Sequence, residues 1–236
     1  MKKLIKRLID KAGYEIRKKS NGFSLNNNLT WLEKYQIKTV LDIGANEGQF
    51  VLFITKLLGD VKIYSFEPIK ECYKELINLI PKVNQLFPQN YALGDKNGTI
   101  SFNKNEFAPS SSMLHMLDEH VKSFPFASKQ TPINVNVKRL DDIIDEFDIE
   151  ENVLVKIDVQ GYEDKVVAGG YEFFMKIPKI VFVETSMIRL YENEPLFDDV
   201  YNVFCSLGYK FRGILNQLYR PLDGEILQAD AVFIKE

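Results

Sequence analysis

Between residues 37 and 93 the chain alternates two hydrophobic periods. Apolar, β-branched runs at 38–43, 61–66 and 86–93 predict strands, and apolar residues at helical spacing over 48–58 and 69–80 predict helices. Strands alternating with helices predict a parallel sheet covered on both faces. Residues 99–102 and 133–137 read as two more strands around an irregular stretch. That stretch holds Ala108-Pro109-Ser110-Ser111-Ser112-Met113-Leu114-His115 and Phe124-Pro125-Phe126. Long connections in compact domains are more often functional or disordered than idle. Residues 94–137 are therefore expected to be an insertion, either a lid facing substrate or a surface excursion. The alternation then resumes, with a helix over 140–147, a strand over 153–158, a helix over 162–175 interrupted at Gly169-Gly170, and a strand over 179–185. A helix over 195–206 and strands near 208–213 and 228–235 complete the pattern. The expectation is one α/β domain over 37–236, with seven strands, helices on both faces and a closing hairpin-like pair.

Residues 1–36 form a lead-in of different character. Leu4, Ile5, Leu8, Ile9 and Ala12 recur at helical spacing, and Lys2, Lys3, Lys6, Arg7 and Lys11 fill the opposite arc. A basic amphipathic helix of this kind has two uses. It can pack its apolar stripe on the domain or on a second subunit of a homodimer, or it can lie on an anionic membrane surface. Loop signals at Asn21-Gly22 and Asn26-Asn27-Asn28 follow, then a short helix through Trp31-Leu32-Glu33-Lys34-Tyr35.

Composition narrows the function. A length of 236 residues with 45% hydrophobic content suits one well-buried domain. A net charge of −3 argues against nucleic-acid binding through a broad basic face. Cys72 and Cys205 stand in no metal or redox spacing, and read as reduced thiols of a cytoplasmic protein. No apolar run reaches the length of a membrane span, and the N-terminus does not read as a signal peptide.

Candidate chemistry begins at Thr39-Val40-Leu41-Asp42-Ile43-Gly44-Ala45-Asn46-Glu47-Gly48, a strand, a tight turn and the start of a helix. Gly44 and Gly48 permit positive φ and close approach of a ligand to the backbone, and the helix start offers free N–H groups. The next strand ends at Glu67, about 20 residues on, where a carboxylate can accept from both hydroxyls of a ribose. The glycine spacing is G-x-x-x-G and not the dinucleotide fingerprint, which disfavours an NAD-dependent oxidoreductase. It suits a nucleoside without phosphates, of which S-adenosylmethionine is the common case. Gln89-Asn90-Tyr91-Ala92-Leu93-Gly94-Asp95 closes the third strand. Asn90 or Asp95 is placed to reach an adenine edge, and Gly94–Gly98 also reads as a hairpin turn.

A second constellation lies at Lys156-Ile157-Asp158-Val159-Gln160-Gly161-Tyr162-Glu163. Residues two apart on a strand share a face, so Lys156 and Asp158 point the same way. A lysine in an apolar strand needs a counter-charge, and the candidates are Asp158 and Glu184, which follows Val183 on the next strand.

Together with Leu140-Asp141, these stretches resemble the FkbM family of S-adenosylmethionine-dependent methyltransferases, in order across about residues 37–235. The resemblance implies a class I methyltransferase (Rossmann-like) fold, with a seven-stranded, mostly parallel sheet, and O-methylation of sugar or natural-product hydroxyls. It also implies that Asp42, Gly44, Asn46 and Gly48 line the cofactor and that Glu67 holds its ribose. Many members carry a glutamate where Gln160 stands. For the chemistry, Asp158 or His115 is the expected base, with Lys156 and Glu184 setting local charge and orienting the acceptor. Asp158 and Glu184 also offer hard oxygen ligands for Mg²⁺ against a diol. The leading acceptor is a saccharide hydroxyl on a glycan intermediate, at the inner face of the membrane if the N-terminal helix binds there. A natural-product hydroxyl is the rival, and a non-catalytic cofactor-binding subunit the alternative outside enzymes, disfavoured by the intact acids.

Overall fold

The computed structural model describes residues 29–105, 111–124 and 129–236, so the helix expected over 1–19 lies outside the described residues. In chain order the strands are β1 (Thr39–Ile43), β2 (Lys62–Phe66), β3 (Leu86–Gln89), β4 (Ala92–Leu93) and β5 (Gly98–Asn105). They continue with β6 (Gln130–Lys138), β7 (Val153–Ile157), β8 (Pro178–Ser186), β9 (Lys210–Tyr219) and β10 (Ile226–Ile234). The α-helices are α1 (Gln49–Leu58), α2 (Lys70–Leu79), α3 (Asp118–Ser123), α4 (Glu163–Gly169), α5 (Tyr171–Lys176) and α6 (Phe197–Ser206).

The main sheet has the order β3-β2-β1-β7-β8-β10-β9, parallel except for β10, which runs antiparallel to both its neighbours. This is the expected seven-stranded, mostly parallel sheet closing on a hairpin. Central strands with both faces covered read as continuous apolar runs, and β1 and β7 are buried at every position. Leu41, Ile43, Val155, Ile157, Val181 and Val183 pack on one face with Val166, Phe174 and Phe204 of α4–α6. Val40, Leu154, Ile180, Phe182 and Val232 pack on the other with Leu32, Phe50, Ile54 and Leu76. Leu32 belongs to the 3-10 helix Leu29–Tyr35, the form taken by the short helix expected there. Among the described residues, no helix is long and apolar enough to cross a membrane.

From β1 the chain builds β2 and β3 on one side, while β7 and β8 lie on the other. The carboxyl ends of β1 and β7 therefore form the switch point of the sheet, where open α/β folds leave a crevice. Asp42 and Lys156 are register partners there.

Four local readings need correction. The strand expected over 86–93 is divided, because after Gln89 the chain leaves the main sheet and Ala92–Leu93 joins a second one. That sheet has the order β4-β6-β5, so 94–98 is no hairpin turn: it crosses from one side of β6 to the other. The helix expected over 140–147 is two single 3-10 turns, Leu140–Asp142 and Ile144–Glu146. Leu140 and Ile143 are buried three residues apart, the repeat of a 3-10 turn. The Asp141 carboxylate meanwhile accepts from Glu172 and Phe173 N–H at the start of α5. The strand expected near 208–213 runs on to Tyr219.

The second sheet joins β4, just before the insertion expected over 94–137, to β5 and β6, and it packs Phe102, Val135 and Val137 on Ile69 and Cys72 at the start of α2. Cys72 and Cys205 are free thiols. Gly169 closes the contact between α4 and the turn after β4, where an added Cβ would stand 1.8 Å from the Gly94 carbonyl oxygen. Gly169→Ala is expected to force these segments apart and cost about 1–3 kcal/mol or more, read as a lower urea midpoint. An unchanged midpoint would show that the contact yields freely.

Candidate active site

Strand alternation stacks the site. On β7, Leu154 and Lys156 share a face, and on β10 so do Asp230 and Val232. Beneath the polar end of this face lies the apolar layer of Val40, Leu154, Phe182 and Val232. At the carboxyl ends of the parallel strands the same face turns polar, with Asp42, Lys156 and Glu184, Asp230 opposite Glu184 on antiparallel β10, and Asp158 just past β7. Lys156 is 6% exposed, and its Nζ donates to Asp158 Oδ2 at 3.0 Å and stands 3.7 Å from Asp42 Oδ1. It also lies 5.8 Å from the centre of the Phe50 ring. Of the two expected counter-charges, Asp158 is the partner. Asp42 joins it because register sets it opposite Lys156.

Glu67 anchors the other end. Its Oε2 accepts from Asn46 N–H at 2.9 Å and its Oε1 from Ile69 N–H at 2.7 Å, which fixes the carboxylate and leaves a lone pair free on each oxygen. Between the two ends lies a cavity of about 170 Å³. Gly44, Asn46 and Glu67 line it, with Ile69, Phe102 and Met113 along one wall and Asp158, Gln160 and Glu184 at the far end. Gly44 has φ +81°, and a Cβ there would meet the Asp158 carbonyl oxygen at 1.8 Å. Its lack of a side chain thus serves the contact between strand tips as well as a ligand.

Gln160 joins the acids. Its Nε2 donates to Asp158 Oδ1 at 2.9 Å and to Glu184 Oε2 at 2.5 Å, while its Oε1 accepts from the Tyr191 hydroxyl at 3.1 Å. Gln228 Nε2 donates to the same Glu184 oxygen at 2.9 Å. Gln160 holds φ +57°, and Glu163 secures this turn by accepting from Val159 and Gly161 N–H. Glu194 does the same for Tyr191, accepting from the N–H groups of Leu190 and Tyr191 and from the Ser186 hydroxyl.

The site is rich in acid. Burial pushes Asp42 up to about 6 and Glu67 to about 7, in each case against hydrogen bonds or a lysine that favour the charged form. Burial likewise raises Asp230 to about 7 and Glu163 to about 8. Glu184 is raised well above the ordinary value by burial, then by the charges of Asp158 and Asp230. Burial pulls the Lys156 ammonium down, but Asp158 and Asp42 outweigh it and hold it above the ordinary lysine value. Asn46 Oδ1 and both Asp42 oxygens are buried with no hydrogen-bond partner. The acceptors that line the cavity fit a nucleoside carrying a sulfonium and an ammonium: cationic groups meet the Asn46 oxygen and the acids, and a ribose meets Glu67.

Not every expected residue reaches the cavity. Asp42 and Lys156 sit one layer behind its wall. Gly48 faces α2, where a Cβ would meet Leu79 at 2.4 Å, so this glycine serves helix packing. Asn90 turns its amide to the Glu67 and Pro68 carbonyls. Asp95 lies near Tyr162 and Lys165, away from the cavity lining. His115 is exposed and absent from the lining. Among the described residues, no group of three or more His, Cys, Asp or Glu is placed to hold a metal ion, and the Gln160 amide occupies the bridge between the two acids proposed for Mg²⁺. Sequence reasoning missed Tyr191 and Glu194, which sit in an aperiodic stretch, and Gln228 and Asp230. The last two had a signal, polar residues at alternate positions of an apolar strand.

A family profile described as the methyltransferase FkbM domain matches residues 42–211. The chain is 25% identical over 219 residues to the 2-O-methyltransferase NoeI of Sinorhizobium fredii, covering 90% of this chain and 87% of that protein. It is 28% identical over 170 residues to the methyltransferase sdnD of Sordaria araneosa, covering 62% of this chain and 65% of that one. Among solved structures, magnesium protoporphyrin IX methyltransferase from Synechocystis, with bound S-adenosylmethionine, aligns with a TM-score of 0.47 at 8% identity, over 88% of this chain and 75% of that one.

The buried acids hold their protons more tightly folded than unfolded, so unfolding releases protons and stability falls as pH rises through their window. His120, buried and held down to about 4, works in the opposite direction below about pH 6.5. Between pH 6.5 and 8.5 the acids act alone among these groups. The ligand-free protein is expected to lose Tm steadily over that range, and Asp230→Asn to flatten the slope. Differential scanning calorimetry checks this, and a Tm that rises with pH there would refute it.

Proposed function

The chain belongs to the FkbM methyltransferase family, and from that premise we propose that it methylates a saccharide hydroxyl at the Asp158–Glu184 end of its cavity. It is an S-adenosylmethionine-dependent O-methyltransferase. The observation that carries the finer reading is the cavity itself, with the Glu67 carboxylate fixed at one end and hydrogen-bonded acids at the other. Glu67 would hold the ribose, and the Asn46 oxygen would meet the cofactor's cationic part. When bound, S-adenosylmethionine supplies a methyl group on a sulfonium, which an oxygen nucleophile takes by in-line displacement.

The chain's own residues do the rest. Most of the rate in such a displacement comes from alignment, and a hydroxyl becomes a good nucleophile as its proton is taken. Asp158 lines the cavity, so it takes that proton in this reading, and Lys156 at its back compensates the charge. Glu184, held by two amides, keeps acceptor capacity for a neighbouring hydroxyl. The surplus of acid favours a neutral or cationic acceptor over an anionic one, which suits a sugar carrying hydroxyls without phosphate or carboxylate. The basic residues Lys2, Lys3, Lys6, Arg7 and Lys11, interleaved with apolar ones, support work at an anionic membrane surface on a membrane-linked acceptor.

Calorimetric titration is expected to give micromolar binding of S-adenosylhomocysteine and none of NADH. Asp158→Asn is expected to lower kcat by about 10²–10⁴-fold with S-adenosylhomocysteine affinity unchanged. Neutral oligosaccharides, uronic-acid oligosaccharides and polyketide alcohols, offered with methyl-labelled cofactor, then test the acceptor class. Label in the uronic acids alone would overturn it.

A further inference from the structure

The Gln160 side chain touches both acids at the far end of the cavity, and its backbone touches the insertion. Its amide nitrogen spends one hydrogen on Asp158 Oδ1 and the other on Glu184 Oε2. An amide gives this double donation in only one of its two flips; the two carboxylates select that flip, and the Tyr191 hydroxyl completes it by donating to Oε1. Tyr191 is itself immobilised: it is fully buried, its backbone N–H is held by Glu194, and its ring meets the His120 ring edge-on at 5.2 Å. The Gln160 backbone carbonyl accepts from the Ser112 hydroxyl at 2.6 Å. The two oxygens of Asp158 thus face two different donors, the Gln160 amide and the Lys156 ammonium. Both contacts require a carboxylate that accepts.

We infer that Gln160 is a positioning residue for methyl transfer: its amide, held at its other end by Tyr191, joins Asp158 and Glu184 through hydrogen bonds, and so presents Asp158 as an accepting base. This rests on the reading that Asp158 takes the acceptor's proton. The charged and titratable groups around Asp158 are Lys156 on β7, Asp42 on β1, Glu184 on β8, Asp230 on β10, Glu163 on α4, and Tyr191. All but Lys156 are acids or a phenol, so among these described groups a third carboxyl in place of the amide meets no second cation. The trio would have to take up a further proton.

The test uses Gln160→Glu and Tyr191→Phe in the full chain. In Gln160→Glu the acid limb of the kcat profile is expected to move up by at least one pH unit, with S-adenosylhomocysteine affinity within twofold of the parent. Carboxyl ¹³C titration of the ligand-free protein is expected to show the Asp158 and Glu184 resonances moving up in step. Tyr191→Phe adds no carboxyl, so it is expected to lower kcat about tenfold while leaving the limb in place. If Gln160→Glu does not fold, Tyr191→Phe with parental kcat overturns the inference. An unshifted Asp158 titration in a folded Gln160→Glu overturns it as well. If the parent methylates no acceptor, the saccharide reading fails, and the carboxyl titration still decides the role of Gln160.

Discussion

A single ammonium buried at the switch point of the sheet is the constraint on which the site depends. Lys156 stands between β1 and the tip of β7, in contact with Asp42 and Asp158. Removing one partner of such a buried pair leaves an uncompensated charge, at a cost of about 3–5 kcal/mol. Replacing the whole group with apolar residues would be tolerable for folding, so stability alone does not account for it. What the group supplies is an ordered cluster of charge at the point where a parallel sheet opens. The apolar layer below it, Val40, Leu154 and Phe182, makes the cluster rigid by filling the space into which its side chains would otherwise relax.

Above that cluster the same device recurs. Glu67, Glu163 and Glu194 each turn a buried carboxylate toward two backbone N–H groups. Each fixes a piece of irregular chain: the turns after β1 and β2, the left-handed turn at Gln160, and the stretch carrying Tyr191. Loops made rigid in this way place side chains with the accuracy usually reserved for strands. They also bring acid into the protein interior, where burial raises its proton affinity, and a bound cation is the natural counterpart.

The sheet was legible because its strands are central and buried on both faces, so their apolar runs stand out against helices of a different period. The glycine turn, Glu67 and the Lys156–Asp158 pair were legible for a related reason: each is a polar or small residue at the end of an apolar run. Where side chains point across the chain, sequence fell short. Asp42 as the second partner of Lys156 follows from strand register, which adjacent motifs do not disclose. Gly48 looked like a ligand contact, and only the position of α2 shows that Leu76 and Leu79 fill the space beside it. The 140–147 segment has helical composition, yet Asp141 is committed to capping α5. Asn90 and Asp95 lie in the right segment with their side chains engaged elsewhere, and His115 is turned out of the cavity.

One hydroxyl gives the insertion a reach beyond its own sheet. Ser112 donates to the Gln160 carbonyl and accepts from Leu114 N–H, while its neighbours Ser111 and Met113 line the cavity wall. A substituent that crowds Met113 therefore pulls on the same backbone that carries the amide between the acids. Discrimination between related acceptors would then be felt in turnover more than in affinity, because a poorly fitting acceptor would still enter but would displace the groups that activate it.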